Sequence, residues 1–220
     1  MSRATQTLLL LASMLAALCG GCTQIIRPPD NPARPAKVYV ADYGLHSSLF
    51  LPLPDEAGGY ADDGRYAEYA FGDWSWMALG RTGPLEALAA VLVSPKSALG
   101  RRVVGVKGGR IPGSVKAVPD RLTGFYADAW AVRRLCDALE RRFERDTRRE
   151  FVWNANDETT YGADPEHYWF AHHCNHVTVR WLRRLGCDVR GLFPTSHFKL
   201  SRGEGERQVA KDAKVGREED

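Results

Sequence analysis

The sequence is poor in most features that mark a specialised protein. It has five cysteines in 220 residues, too few for a disulfide-stapled scaffold. Neither charge sign dominates: 30 Lys and Arg stand against 27 Asp and Glu, a formal charge of +3. That balance gives no electrostatic footprint for a nucleic-acid binder. The apolar run at 8–18 has eleven residues, where a membrane-spanning helix needs about 20. There is no internal repeat. What remains is ordinary: 44% hydrophobic, 26% charged and 10% aromatic residues, with six Trp. This composition excludes a collagen-like, fully disordered or multi-span membrane protein. The length fits one domain, or at most two small ones.

The apolar run follows Arg3 and has the length of the h-region of a secretory signal. It leads into Leu18-Cys19-Gly20-Gly21-Cys22. This segment resembles a bacterial lipobox, in which cleavage falls before a diacylated cysteine. Cys22 is the better acceptor, because Gly21 is small and Cys19 would place Leu18 in the cleavage pocket. The expectation is a signal peptide at 1–21, lipid on Cys22, and a domain outside the cytoplasm held at the cell membrane or outer membrane. Thr23, not Asp, follows the acceptor, which resembles the outer-membrane default of lipoprotein sorting. Pro28, Pro29, Pro32 and Pro35 make 22–36 read as an extended tether. Residues 201–220 carry five basic and six acidic side chains and few bulky apolar ones, the composition of a disordered tail. The globular part is then 37–200.

Within it, 37–42, 46–51, 65–71 and 101–106 are predicted strands, with a turn or bulge at Tyr43-Gly44 and a loop over 52–64. A short helix is expected at 84–93. Residues 128–145 place apolar side chains at 132, 135, 136, 139 and 143, a helical spacing with an Arg-rich, solvated outer face over 133–149. A second helix is expected at 174–185, with Val177, Trp181 and Leu185 on one stripe and Gly186 as its cap. Strands and helices mix without regular alternation, which favours α+β over a doubly wound sheet.

Cys174 opens the second helix, where unpaired N–H groups and the helix dipole favour a thiolate. It shares a register with Val177 and Trp181, so it points toward a sheet. A nucleophile needs a base, and His46 at a strand start is the candidate, with Glu68 on the next strand to orient it. Segment 46–51 resembles the His-bearing strand of NlpC-like cysteine peptidases. His173-Cys174-Asn175-His176-Val177 followed by Arg183-Arg184-Leu185-Gly186 resembles the Cys-helix of the lecithin-retinol acyltransferase group, where His also precedes Cys in the chain. The islands 39–53, 68–74 and 173–189 further resemble a bacterial lipoprotein family of unknown function, number 2459.

These resemblances imply a papain-like, permuted NlpC-type fold in which an antiparallel sheet packs against helices. They imply acyl transfer, as a cysteine peptidase, amidase or acyltransferase acting on a cell-wall peptide or an acyl ester outside the cytoplasm. Cys174 would be nucleophile, His46 base and Glu68 orienter, with Asp73 in reserve and no cofactor. The Cys174 N–H could stabilise an oxyanion, helped by Tyr168 or Asn154.

Each residue also has a plain reading. Cys174 can be a core cysteine, His46 a structural histidine and Glu68 a solvated strand residue. Trp74 and Trp76 read as core or pocket wall, and Cys136 as core. A second reading of the whole is therefore a non-catalytic envelope lipoprotein on the same fold, binding a partner or wall component. A third takes His172, His173, Cys174 and His176 as zinc ligands, although in a helix Cys174 points away from 172 and 176. A Cys136–Cys187 disulfide stays open.

Overall fold

The structure, a computed structural model, describes residues 23–55, 58–81, 83, 94, 96–169, 172–191 and 195–201. The signal segment with Cys22, the helix expected at 84–93 and the tail beyond 201 lie outside the described residues.

Seven strands form one sheet that is antiparallel at every pairing: β2 (Pro35–Asp42), β3 (Ser47–Pro52), β4 (Gly64–Asp73), β5 (Ser97–Val106), β6 (Arg121–Asp128), β7 (Phe151–Asn154) and β8 (Thr159–Asp164). Their order across the sheet is β6-β2-β3-β4-β5-β8-β7. A second sheet sets β1 (Gln24–Arg27) between β9 (Asp188–Arg190) and β10 (Phe198–Leu200). Helices α1 (Ala129–Thr147) and α2 (Cys174–Arg184) lie on one face of the large sheet, and a π-helical turn, Trp74–Ala78, follows β4. The molecule is thus α+β, with an antiparallel sheet packed on helices.

The strands form because their side chains alternate between two buried faces. Val38, Val40, Leu49, Leu51, Tyr69 and Phe71 pack with Val132, Leu135 and Leu139 of α1 and Val177, Trp181 and Leu182 of α2. The other face gathers Tyr39, Phe50, Tyr66, Val104 and Val106, and, further along, Trp74, Ala98 and Tyr161. All six residues of β3 are buried, so this strand is sealed on both sides. Helix α1 starts where Asp128 accepts from the Trp130 N–H, a cap that stabilises a helix by about 1 kcal/mol. Gly44 turns the β2–β3 hairpin at φ 80°, a conformation that suits glycine.

The tether expected at 22–36 needs correction. Its first part is β1, hydrogen-bonded to β9 and β10, and its last two residues begin β2. Ile26 supplies the reason: it is fully buried in the main core, and that burial outweighs the four prolines around it. Strands β6 to β8 also extend beyond the expected set, and β5 begins four residues earlier than expected, at Ser97.

The end of α1 is drawn hard against β8. A Cβ on Gly162 would stand 2.9 Å from the Thr147 backbone nitrogen. This approach buries the Asp146 and Asp164 carboxyls completely, side by side. Burial and the neighbouring Asp164 raise Asp146 to about 6. Burial would raise Asp164 too, but Arg142 outweighs it and holds that group low. A folded-state pKa above the unfolded one gives stability that is complete at low pH and lost as pH climbs through about 6. Asp146→Asn is expected to match the wild type in thermal denaturation near pH 4. Near pH 8 it should melt higher, by about 2–4 °C for each kcal/mol released.

Candidate functional site

Helix α2 begins at Cys174 because His173 caps it: His173 Nδ1 accepts from the Asn175 N–H at 3.3 Å. The apolar stripe of α2 then presses the helix start onto β3. Cys174 is 4% exposed. Its thiol donates to the Leu45 carbonyl at 3.9 Å and stands 3.6 Å from Asn175 Oδ1. The Tyr168 hydroxyl donates to Sγ at 3.9 Å. Below, Ser47 Oγ lies 2.8 Å from Asn175 Oδ1 and 3.0 Å from Thr178 Oγ1, locking α2 to β3. Burial pushes the thiol up. The Ser47 N–H, the Tyr168 hydroxyl and the N–H groups at the helix start pull the other way without cancelling it.

His46 and Glu68 sit across the sheet. Ser47, Leu49 and Leu51 of β3 face the helices, so residues 46, 48 and 50 face away. Glu68 Oε1 accepts from the Tyr43 and Ser48 hydroxyls, both at 2.6 Å. Its Oε2 accepts from Arg102 Nε, in an ion pair whose side chains are 5% and 6% exposed. Arg102 spends its remaining donors on the carbonyls of Asp157 and Ala117, each at 2.7 Å, and on the Tyr43 hydroxyl. The orienting partner expected of Glu68, the His46 imidazole, does not bond to it. The His46 ring stands 6.1 Å from the Tyr43 ring. Its Nε2 is shut off from solvent and has no hydrogen-bond partner. Burial lowers its pKa to about 4, so the imidazole is neutral near pH 7.

His46 and Glu68 therefore share a site, and Cys174 does not join them. Their site is a cavity of about 160 Å³ walled by Tyr43, His46, Met77, Arg102, Thr159 and Tyr161, among others. Its charges are spent internally, Glu68 on Arg102, and the Asp157 carboxylate on the Tyr161 hydroxyl at 2.6 Å and the Thr159 N–H. Among the lining residues, His46 alone carries a buried polar atom left unsatisfied.

The other candidates fall elsewhere. Asp73 is on the helix-facing side, but it accepts from the Trp76 N–H and the Ser94 hydroxyl and so caps the π-helical turn. Asn154 donates to the Met77 carbonyl. His172 pairs with Glu166 at 2.8 Å, and the His173 and His176 rings meet edge to face at 4.4 Å. Among the described residues no three His, Cys, Asp or Glu side chains converge as a metal site. Cys136, Cys174 and Cys187 are free thiols.

Arg102, Tyr43, Ser48 and Asp157 went unnoticed in the sequence. The available signal was a lone charge, Glu68, in an apolar strand, with a basic pair, Arg101-Arg102, in another. Compared with known protein families, curated proteins and solved structures, the chain matches none of them.

Removing one member of a buried ion pair leaves the other uncompensated and typically costs about 3–5 kcal/mol. Urea denaturation of Arg102→Met should show a loss of that order. Adding Glu68→Gln should recover part of it. A loss below about 1 kcal/mol, the worth of an exposed pair, would mean that Glu68 is not held as a buried carboxylate.

Proposed function

We propose that the chain is a lipid-tethered protein of the cell envelope whose domain binds a small, uncharged, largely apolar ligand in the His46 cavity without covalent chemistry. One observation carries this reading: among the described residues the His46 Nε2 has no hydrogen-bond partner, and it lines the Glu68 cavity, where Cys174 is absent. A nucleophilic thiol needs its base within hydrogen-bond reach, and here Sγ meets Leu45 O, Asn175 and Tyr168 instead. The cavity supports the ligand class. A dry cavity of about 150 Å³ holds a benzene-sized molecule, and this one is of that size, with Ala70, Met77 and Ala117 in its walls and its charges neutralised. The unsatisfied Nε2 is the group a bound hydroxyl or amide would satisfy.

The tether rests on the lipobox-like segment ending at Cys22. Among the described residues no helix is long and apolar enough to cross a membrane. Kinship with the papain-like, permuted NlpC-type group, and with family 2459, belongs to the same proposal. It is supported by the chain order of His strand, Glu strand and Cys helix, and by a cysteine at a helix start packed on an antiparallel sheet.

A second reading, the thiol hydrolase or acyltransferase acting on a cell-wall peptide or acyl ester, is favoured by the donors around Sγ: the Ser47 and Asn175 N–H groups and the Tyr168 hydroxyl. It requires the 43–46 hairpin to rearrange so that the imidazole reaches the helix side.

Iodoacetamide alkylation across pH, read by mass spectrometry on the Cys174 peptide, separates the two. The binding reading expects a thiol titrating above the free value of about 8.5, unchanged in His46→Ala. It also expects phenol to raise Tm, and Ala117→Leu, which fills the cavity, to abolish that shift. A thiolate at neutral pH that disappears in His46→Ala would establish the hydrolase reading instead.

A further inference from the structure

The outer surface of the helix layer is basic. Arg133, Arg134 and Arg141 of α1, Arg148 just after it and Arg184 of α2 are exposed, and none joins an ion pair among the described residues. The exposed acids of α1 are Asp137 and Glu144. The rest of the chain is nearly balanced in charge, so this concentration is local. It includes an aromatic: Trp130 is 63% exposed, and the Arg134 guanidinium lies 4.5 Å above its ring. Trp130, Arg134 and Arg184 rim an open hollow of about 460 Å³ with Ala131, Leu135 and Ala138 in its floor.

An exposed tryptophan among arginines over an aliphatic floor matches a lipid interface. Indole rings settle at the level of the headgroups, and each basic side chain near an anionic surface adds to the attraction. The first strand is linked to the end of α2 through β9, where Arg27 pairs with Asp188. Thr23 packs on Gly191, where a Cβ would meet the Thr23 carbonyl oxygen at 2.8 Å. Arg183, at the end of α2, reaches the Val189 carbonyl two residues before it.

We propose that the outer face of α1 and the end of α2 form a second membrane contact, which docks the domain on anionic phospholipid with Trp130 at the headgroup boundary and Arg134 and Arg184 on phosphates. The contact is independent of the His46 cavity, and it rests on the tether at Cys22 only for keeping the domain near a membrane. A diacylated Cys22 already anchors the chain stably; docking would add a fixed orientation of the domain on the bilayer.

The test uses the full chain reconstituted with phosphatidylcholine vesicles, with and without phosphatidylglycerol, each carrying brominated acyl chains that quench tryptophan. Quenching should be stronger with phosphatidylglycerol, should fall at high salt, and should lose its lipid dependence in Trp130→Phe. Arg134→Gln and Arg184→Gln should each weaken docking roughly fivefold, with urea denaturation unchanged because both are exposed. Equal quenching in the two lipids overturns the proposal, as does quenching that survives Trp130→Phe. Glycerol phosphate in solution shifting Trp130 emission as strongly as vesicles do would also overturn it, by making the hollow a free-phosphate site.

Discussion

The two-residue alternation of β3 governs the chemistry available to this molecule. The strand lies near the middle of a seven-stranded sheet and every one of its residues is buried. A strand sealed on both sides cannot shift register by one residue without exchanging its whole set of side chains between faces. Ser47 is committed to the helix face by its bonds to Asn175 and Thr178, and Ser48 to the opposite face by its bond to Glu68. The position of His46 follows from those two neighbours. The thiol at the start of α2 comes within contact of the backbone around His46, at Leu45 O and the Ser47 N–H, and still does not meet the ring.

Each face of the sheet solves a different polar problem. On the helix side a short neutral seam, Ser47 with Asn175 and Thr178, ties α2 down, and the Arg142–Asp164 pair ties α1 to β8. On the other side a full ion pair is buried, and buried charges persist only when their remaining hydrogen-bonding capacity is met. Glu68 takes two hydroxyls and a guanidinium, and Arg102 closes on two carbonyls and Tyr43. The network organises three separate segments, the 43–46 hairpin, the loop at Ala117 and the turn at Asp157, around one cavity. The charged groups of the cavity wall are therefore all hydrogen-bonded, and its unspent capacity sits on a neutral imidazole.

Much of this was legible in the sequence, for identifiable reasons. Helices α1 and α2 announced themselves because a 3.6-residue stripe persists over three or more turns and because Asp128 and Gly186 mark their ends. The β2 and β3 strands were visible from their dense Val, Tyr, Leu and Phe residues. β6 was hidden: Gly124 interrupts it, and only the fold explains that glycine, since a Cβ there would stand 2.8 Å from the Tyr39 ring. β1, β9 and β10 are too short to show a period, and prolines mask the first of them. That Cys174 faces the sheet was readable from its register with Val177 and Trp181. The side of β3 taken by His46 was not. Leu49, Phe50 and Leu51 are all apolar, so the strand carries no polar face to say which parity meets the helices.

The central claim, that the thiol and the imidazole belong to different faces, is tested most directly by following the His46 ring nitrogens and carbons by NMR against pH, in the wild type and in Cys174→Ala. The account predicts a ring that stays neutral until about pH 4 and a titration that does not change when the sulfur is removed. A His46 that titrates at or above its ordinary value of about 6.5, and whose titration moves when Cys174 is replaced, would mean that the imidazole holds the thiolate, and would contradict the account.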